Sequence, residues 1–116
     1  MIPPKPRALD VKDPEFATNL ATCLASGQPV VAGIVVDSAF MQWTPGSSPI
    51  STVNTSDPNG GGHCICFLGY IMDASGKKNF ILQNSWGSSD GNGGFFTVTE
   101  DYVMTYCYEA YAIVIG

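Results

Sequence analysis

Apolar and polar positions recur along this chain with two periods, and each change of period marks an element. Phe16, Leu20, Cys23 and Leu24 fall at i, i+4, i+7 and i+8, one face of a helix. Asp13-Pro14 ahead of them reads as an N-cap followed by proline at the first helical position, and Gly27 stands where glycine ends a helix. Together these signals predict a helix over residues 14–26. Pro29 then opens PVVAGIVVD, a near-continuous β-branched run that predicts a strand buried on both faces. Four further runs predict strands: HCICFLGYIMD (63–73), NFILQN (79–84), FFTVT (95–99) and CYEAYAIVI (107–115). Between the first two, ASGKK (74–78) reads as a hairpin turn. Thr99-Glu100-Asp101 predicts the cap of a short helix reaching about Thr105.

The punctuation between these elements sets the organisation. Pro3, Pro4 and Pro6 make residues 1–12 an extended lead-in to one domain over 13–116. From Ser38 to Gly62 the chain turns rich in Ser, Pro and Gly. It reads as a long surface loop with a short strand near Ile50–Val53, and loops of this length are often functional. The order is helix, strand, long loop, then an antiparallel meander. That order predicts an α+β fold, an antiparallel β-barrel or strongly curved sheet with one N-terminal helix.

Composition narrows the function classes. Five Lys+Arg against ten Asp+Glu in 116 residues leave a net charge of −5, without the clustered basic residues that a nucleic-acid backbone requires. No apolar run is long enough for a membrane-spanning helix, and MIPPKPRALD lacks the apolar core of a signal peptide. The expectation is therefore no nucleic acid, no membrane, and a cytoplasmic rather than secreted protein. The four cysteines, Cys23, Cys64, Cys66 and Cys107, then default to reduced thiols. Cys64-x-Cys66 has no matching second pair, so neither a zinc site nor any other cofactor is expected.

The single histidine, His63, opens a strand directly after three glycines, which suit a sharp turn or a close backbone approach. Across the predicted hairpin, Asn84 ends the partner strand at the same open end. An asparagine that accepts from an imidazole N–H holds the ring in one tautomer. Trp86 could shield that bond from water. Read without function, His63 is a polar residue at a strand end and Asn84-Ser85 a turn after a strand.

GGHCICFLGY followed by NFILQNSWGSSDGNGGFF resembles the papain-like cysteine peptidases, in which the catalytic His begins a strand and an N-S-W-G motif follows one hairpin later. GQPVVAGIVVDSAF is similar to the strand and phenylalanine that precede them in the family. PPK, LATCLASGQPV and TEDYV resemble a bacterial and viral branch. The resemblance covers about residues 14–115. It implies that His63 is the catalytic base, Asn84 its orienting partner and Trp86 the shield, with Gly61, Gly62 and Cys64 lining the cleft. It also implies the right-hand, β-barrel half of a two-domain fold.

The departures weigh as much. Asp90 stands where a second tryptophan is expected, and Cys64 replaces an alanine. The Q-x-x-x-C-G-[SA]-C-W segment that carries the family's nucleophile is not in this sequence. Cys23 reads as helix core. Cys64 and Cys66 project from the strand face opposite His63, and Cys107 follows a helix with no assigned role. The reading is a pseudo-peptidase half-domain that binds or regulates, its exposed inter-domain face covered by a protein or peptide partner or by a second copy. The alternative is one chain of a split peptidase whose Cys domain comes in trans. A structural or ligand-binding protein that keeps the motif only for folding is the third reading.

Overall fold

Helix formation near the N-terminus is decided by competition for a few backbone N–H groups. The computed structural model, which describes residues 5–84 and 94–114, starts helix α1 at Phe16 and ends it at Ala25. Asp13 does not cap it: its carboxylate accepts from Glu15 N at 2.9 Å and its carbonyl from Phe16 N at 2.9 Å. Asp13 thus organises a local turn, the alternative its short acceptor always offers, and Glu15 at the N-cap makes no side-chain cap. The other end follows the pattern. Gln28 N donates to Cys23 O and Gly27 N to Leu24 O, with Gly27 at φ +82°, where a side chain would be strained.

Six strands form one antiparallel sheet: β1 (Lys5–Leu9), β2 (Val30–Val36), β3 (Gly61–Met72), β4 (Lys78–Asn84), β5 (Phe95–Thr99) and β6 (Cys107–Val114). Their order is β1-β6-β2-β3-β4-β5, so the curved sheet stays open rather than closing into a barrel. Part of the lead-in is β1, which pairs from Lys5↔Val114 to Leu9↔Ala110. Proline 6 is tolerated there because β1 is an edge strand, where a missing N–H leaves no neighbour unpaired. Two further helices are short, α2 (Ser38–Met41) and α3 (Glu100–Tyr106). Thr99 caps α3 as expected, its hydroxyl accepting from Tyr102 N at 3.1 Å.

The core lies on one face of the sheet. Val30, Ala32, Ile34 and Val36 of β2 are buried there with Ile65, Phe67, Phe80, Leu82, Phe96 and Val98. Phe16, Leu20 and Leu24 of α1 and Tyr102 and Val103 of α3 complete it. Val31 and Val35 are only half-buried, so β2 is not fully covered on its second face. The buried helical side chains all join the first face, which leaves the other to the tyrosines of β6.

The long loop is tied down rather than loose. Asp37, buried at the end of β2, accepts from Phe40 N and from Asn54 N, each at 2.7 Å. Asp57 accepts from Ser38 N at 2.8 Å. The strand expected near Ile50–Val53 shrinks to a parallel bridge at Ile50, which donates to Thr97 O and accepts from Thr99 N. The pull of Asp37 on Asn54 draws the chain back towards β2 before a longer strand can form.

Candidate functional site

His63 occupies the third position of β3, opposite Ile34 of β2, and Ile65 lies opposite Asn84 of β4. Side chains two apart on a strand share a face, so His63, Ile65, Ile34 and Asn84 all belong to the core face. Asn84 is thereby a diagonal cross-strand neighbour of His63, about 7–8 Å away along the backbone and within reach of long side chains. Both sit where the sheet's core face ends: His63 is half-buried and Asn84 is 6% exposed. Asn84 N donates to Gly94 O at 2.8 Å, which fixes the end of β4.

Burial holds the His63 imidazole below its ordinary pKa of 6.5. At pH 7 the ring is neutral, the form that can accept a proton. The folded chain then binds this proton less tightly than the unfolded chain. Stability is therefore fullest above about pH 6.5 and falls as the pH drops below it. Urea midpoints at pH 7 and pH 5 should show this loss, and His63→Gln should flatten it. An unchanged slope in the variant would assign the loss elsewhere. The carboxylates of Asp57 and Asp73, held below 3.8 mainly by hydrogen bonds from Ser38 and Ser75, act in a separate, more acidic window.

The strand register places no cysteine beside His63 on its own face. Cys64 lies opposite Gly33 on the outer face, and Cys66 shares that face. Cys107 is on the core face, opposite Ile34, but two strand spacings (about 9–10 Å) separate it from His63. It is buried, and burial pushes its thiol up to about 12. Cys23 is buried beneath β1, its sulfur accepting from Arg7 Nη2 at 3.3 Å. Arg7 pairs with Ala112, which pairs with Val30, at the far end of β2 from Ile34.

Around the outer face the sequence reading missed one residue. Tyr108 lies across Gly33 and Gly62: a Cβ added to either would come within 2.5 Å of its ring or hydroxyl. The register shift of β6 between Gly33 and Ile34 aims it there. Glycine inside a strand was the available signal, since it often marks a close approach. Gly61 pairs with Val36 at the start of β3. Trp86, Ser85, Gly87 and Asp90 lie outside the described residues.

A cleft of about 340 Å³ opens elsewhere, on the outer side of β4 and β5, between Trp43, Pro45, Pro49, Ile81 and Phe95. It touches neither His63 nor Asn84. Among the described residues, no group of three or more His, Cys, Asp or Glu is placed to hold a metal ion. No described helix is long and apolar enough to cross a membrane.

Comparison with known proteins gives this geometry a lineage. The family profile described as papain family cysteine protease matches residues 8–114. An uncharacterized peptidase C1-like protein of Acanthamoeba polyphaga mimivirus is 35% identical over 86 residues, covering 73% of this chain and 27% of that protein. Ananain of Ananas comosus is 33% identical over 78 residues, covering 66% of this chain and 21% of its own length. The structure of digestive procathepsin L 3 from Tenebrio molitor larval midgut superposes with a TM-score of 0.62 at 27% identity, over 92% of this chain and 34% of that one. The chain thus spans about a quarter of the length of the curated relatives it matches. With the profile running from β1 to the end of β6, this chain belongs to the papain family of cysteine proteases.

Proposed function

We propose that this chain carries the His/Asn half of a papain-type site and, by itself, binds rather than cleaves. In this reading His63 is the base, Asn84 its orienting partner and Trp86 the shield, with the backbone of Gly61, Gly62 and Cys64 lining the cleft while the Cys64 side chain leaves on the other face. One observation carries the proposal: each of the four thiols is on the wrong face, or too far along the sheet, to meet the imidazole. Nucleophilic catalysis needs a thiol within hydrogen-bond reach of its base. Without one, the remaining groups lose several orders of magnitude in rate. The partner in this reading is a protein or peptide, or a second copy, seated on the outer face, where Tyr108 is 50% and Tyr111 39% exposed.

The second reading supplies the Cys-bearing domain in trans. It is supported by the shared core face of His63, half-buried, and Asn84, buried. Both readings meet one experiment: a fluorogenic papain-type peptide substrate and a thiol-reactive epoxide are presented to the purified chain. The expected result is turnover no higher than that of His63→Ala and no His63-dependent labelling. Thiol-dependent turnover by the chain alone, abolished in His63→Ala, would sink the first reading. Activity that appears only when a papain-type Cys-bearing helical domain is added would establish the second.

A further inference from the structure

We propose that Asn59 is a site of self-modification: the Asn59–Gly60 pair deamidates without an enzyme, at a rate set by how often the loop before β3 opens. The inference is independent of the peptidase reading, because it rests on the loop alone and is read by mass.

The sequence supplies the reactive pair. Asn59 precedes Gly60, and glycine has no Cβ to hinder attack by its own main-chain nitrogen. Gly60 N attacks Cγ of the Asn59 side chain. The N–Cγ bond forms, the Cγ–Nδ2 bond breaks, and the amide nitrogen leaves as ammonia with the proton that Gly60 N gives up. Water then opens the resulting succinimide ring. Opening at Cγ leaves an ordinary aspartate. Opening at the main-chain carbonyl leaves an isoaspartate, whose backbone is longer by one methylene. Only water is consumed, and no atom changes oxidation state.

The fold supplies the gate. Asn59 is exposed, so water reaches its amide. Gly60 N donates to Asp57 O at 3.0 Å, and a nitrogen engaged in that way is a poor nucleophile. The turn that holds it is itself pinned. Asp57 Oδ1 accepts from Asn59 N at 2.9 Å and Asp57 Oδ2 from Ser38 N at 2.8 Å. Asp57 N donates to Asn54 O at 3.2 Å, and Asn54 N to the buried Asp37 carboxylate at 2.7 Å. The ring therefore closes only when the turn lets go, and local opening of a tied loop is rarer than exposure in an unfolded chain.

The product reaches beyond the loop. A Cβ added to Gly60 would meet Val36 O at 2.6 Å and Asp37 Cα at 3.4 Å, so the chain has no slack there for an extra methylene. Gly61, the next residue, pairs with Val36, and His63 pairs with Ile34 two steps further on. An isoaspartate at position 59 thus loosens the start of β3, the end that carries His63.

The test holds the whole chain at mildly alkaline pH, folded or in guanidinium chloride, and follows Asn59 by peptide mapping with mass spectrometry. Mapping separates it from Asn92–Gly93, the other Asn–Gly pair of the sequence. Asn59 should convert in denaturant, and at least about tenfold more slowly in the folded chain. Asp37→Ala releases Asn54 and leaves residues 57–60 unchanged, so it should speed conversion of the folded chain several-fold and leave the rate in denaturant as it was. In the isoaspartate form, the amides of residues 61–63 should exchange faster than in the unmodified chain. No conversion of Asn59 in denaturant would overturn the site. Equal rates in the folded and unfolded chain would overturn the gate, as would an Asp37→Ala chain, folded by circular dichroism, that converts no faster than the native one. Unchanged exchange at 61–63 would overturn the reach into β3. The comparison of folded with unfolded native chain decides the gate even where the variant fails to fold.

Discussion

Phe96→Ala is expected to remove about 3–5 kcal/mol of stability, the cost of emptying a buried aromatic site. Phe96 is fully buried on β5 and stacks on Phe40 at 5.1 Å between ring centroids. Trp43 lies 5.8 Å from the same ring, and Phe40 in turn contacts Tyr102 at 5.8 Å. Phe96 of the edge strand β5 thus meets Phe40 of α2 and Trp43 of the loop, and Phe40 links the cluster to α3. The surrounding groups come from three elements and cannot all close on the cavity. A domain this size has about 5–15 kcal/mol in total, so the variant should lose a third or more of it. Urea unfolding followed by tryptophan fluorescence measures the loss. Phe96→Leu, which keeps most of the volume, should cost less than about 1.5 kcal/mol. A loss below about 1 kcal/mol in the alanine variant would mean that the cluster collapses freely, contrary to normal packing.

Asp37→Ala should cost about 3 kcal/mol, through a different mechanism. The Asp37 carboxylate accepts from two backbone N–H groups, Phe40 and Asn54, and hydrogen bonds to a charged group contribute about 1.5–3 kcal/mol each. Removing it leaves those donors without their acceptor where Asp37 itself is 7% exposed. The effect should be local before it is global. Residues 42–60 should become susceptible to limited proteolysis, and the Asn54 amide should exchange faster, at urea concentrations that leave the sheet intact. Asp37→Asn keeps one acceptor oxygen and should fall between the two. If the alanine variant is as protease-resistant as the native chain, Asp37 is not what holds the loop.

The loop shows where reading the sequence stops. Its composition says surface and irregular, which is correct for most of residues 42–60. Nothing in it says that Asp37, near the end of a β-branched run, reaches across to Asn54. That bond joins residues 17 apart and exists only once β2 and the loop are both placed. The one-residue bridge at Ile50 is decided the same way, by what β5 offers and what Asp37 takes away. At the N-terminus, Asp13 had the residue type of a cap but turned on its own neighbours, and a Pro-rich stretch became an edge strand because β6 needed a partner.

The candidate site was more legible. The glycines before His63, the hairpin turn and Asn84 at the strand end are local signals, and strand alternation alone places Cys64 and Cys66 away from His63. The resemblance to papain-like peptidases rested on those residues and extends over residues 8–114. The place of Tyr108 was hidden, because it depends on a register shift between β2 and β6. What the sequence by itself determined is the set of elements, their faces and the family, since periodicity, caps and motifs act within a few residues. Only the tertiary structure decided which distant groups meet: the open rather than closed sheet, the ring over two glycines, and the two strand spacings that separate Cys107 from His63. Those are outcomes of strand pairing, and pairing is not written in any one segment.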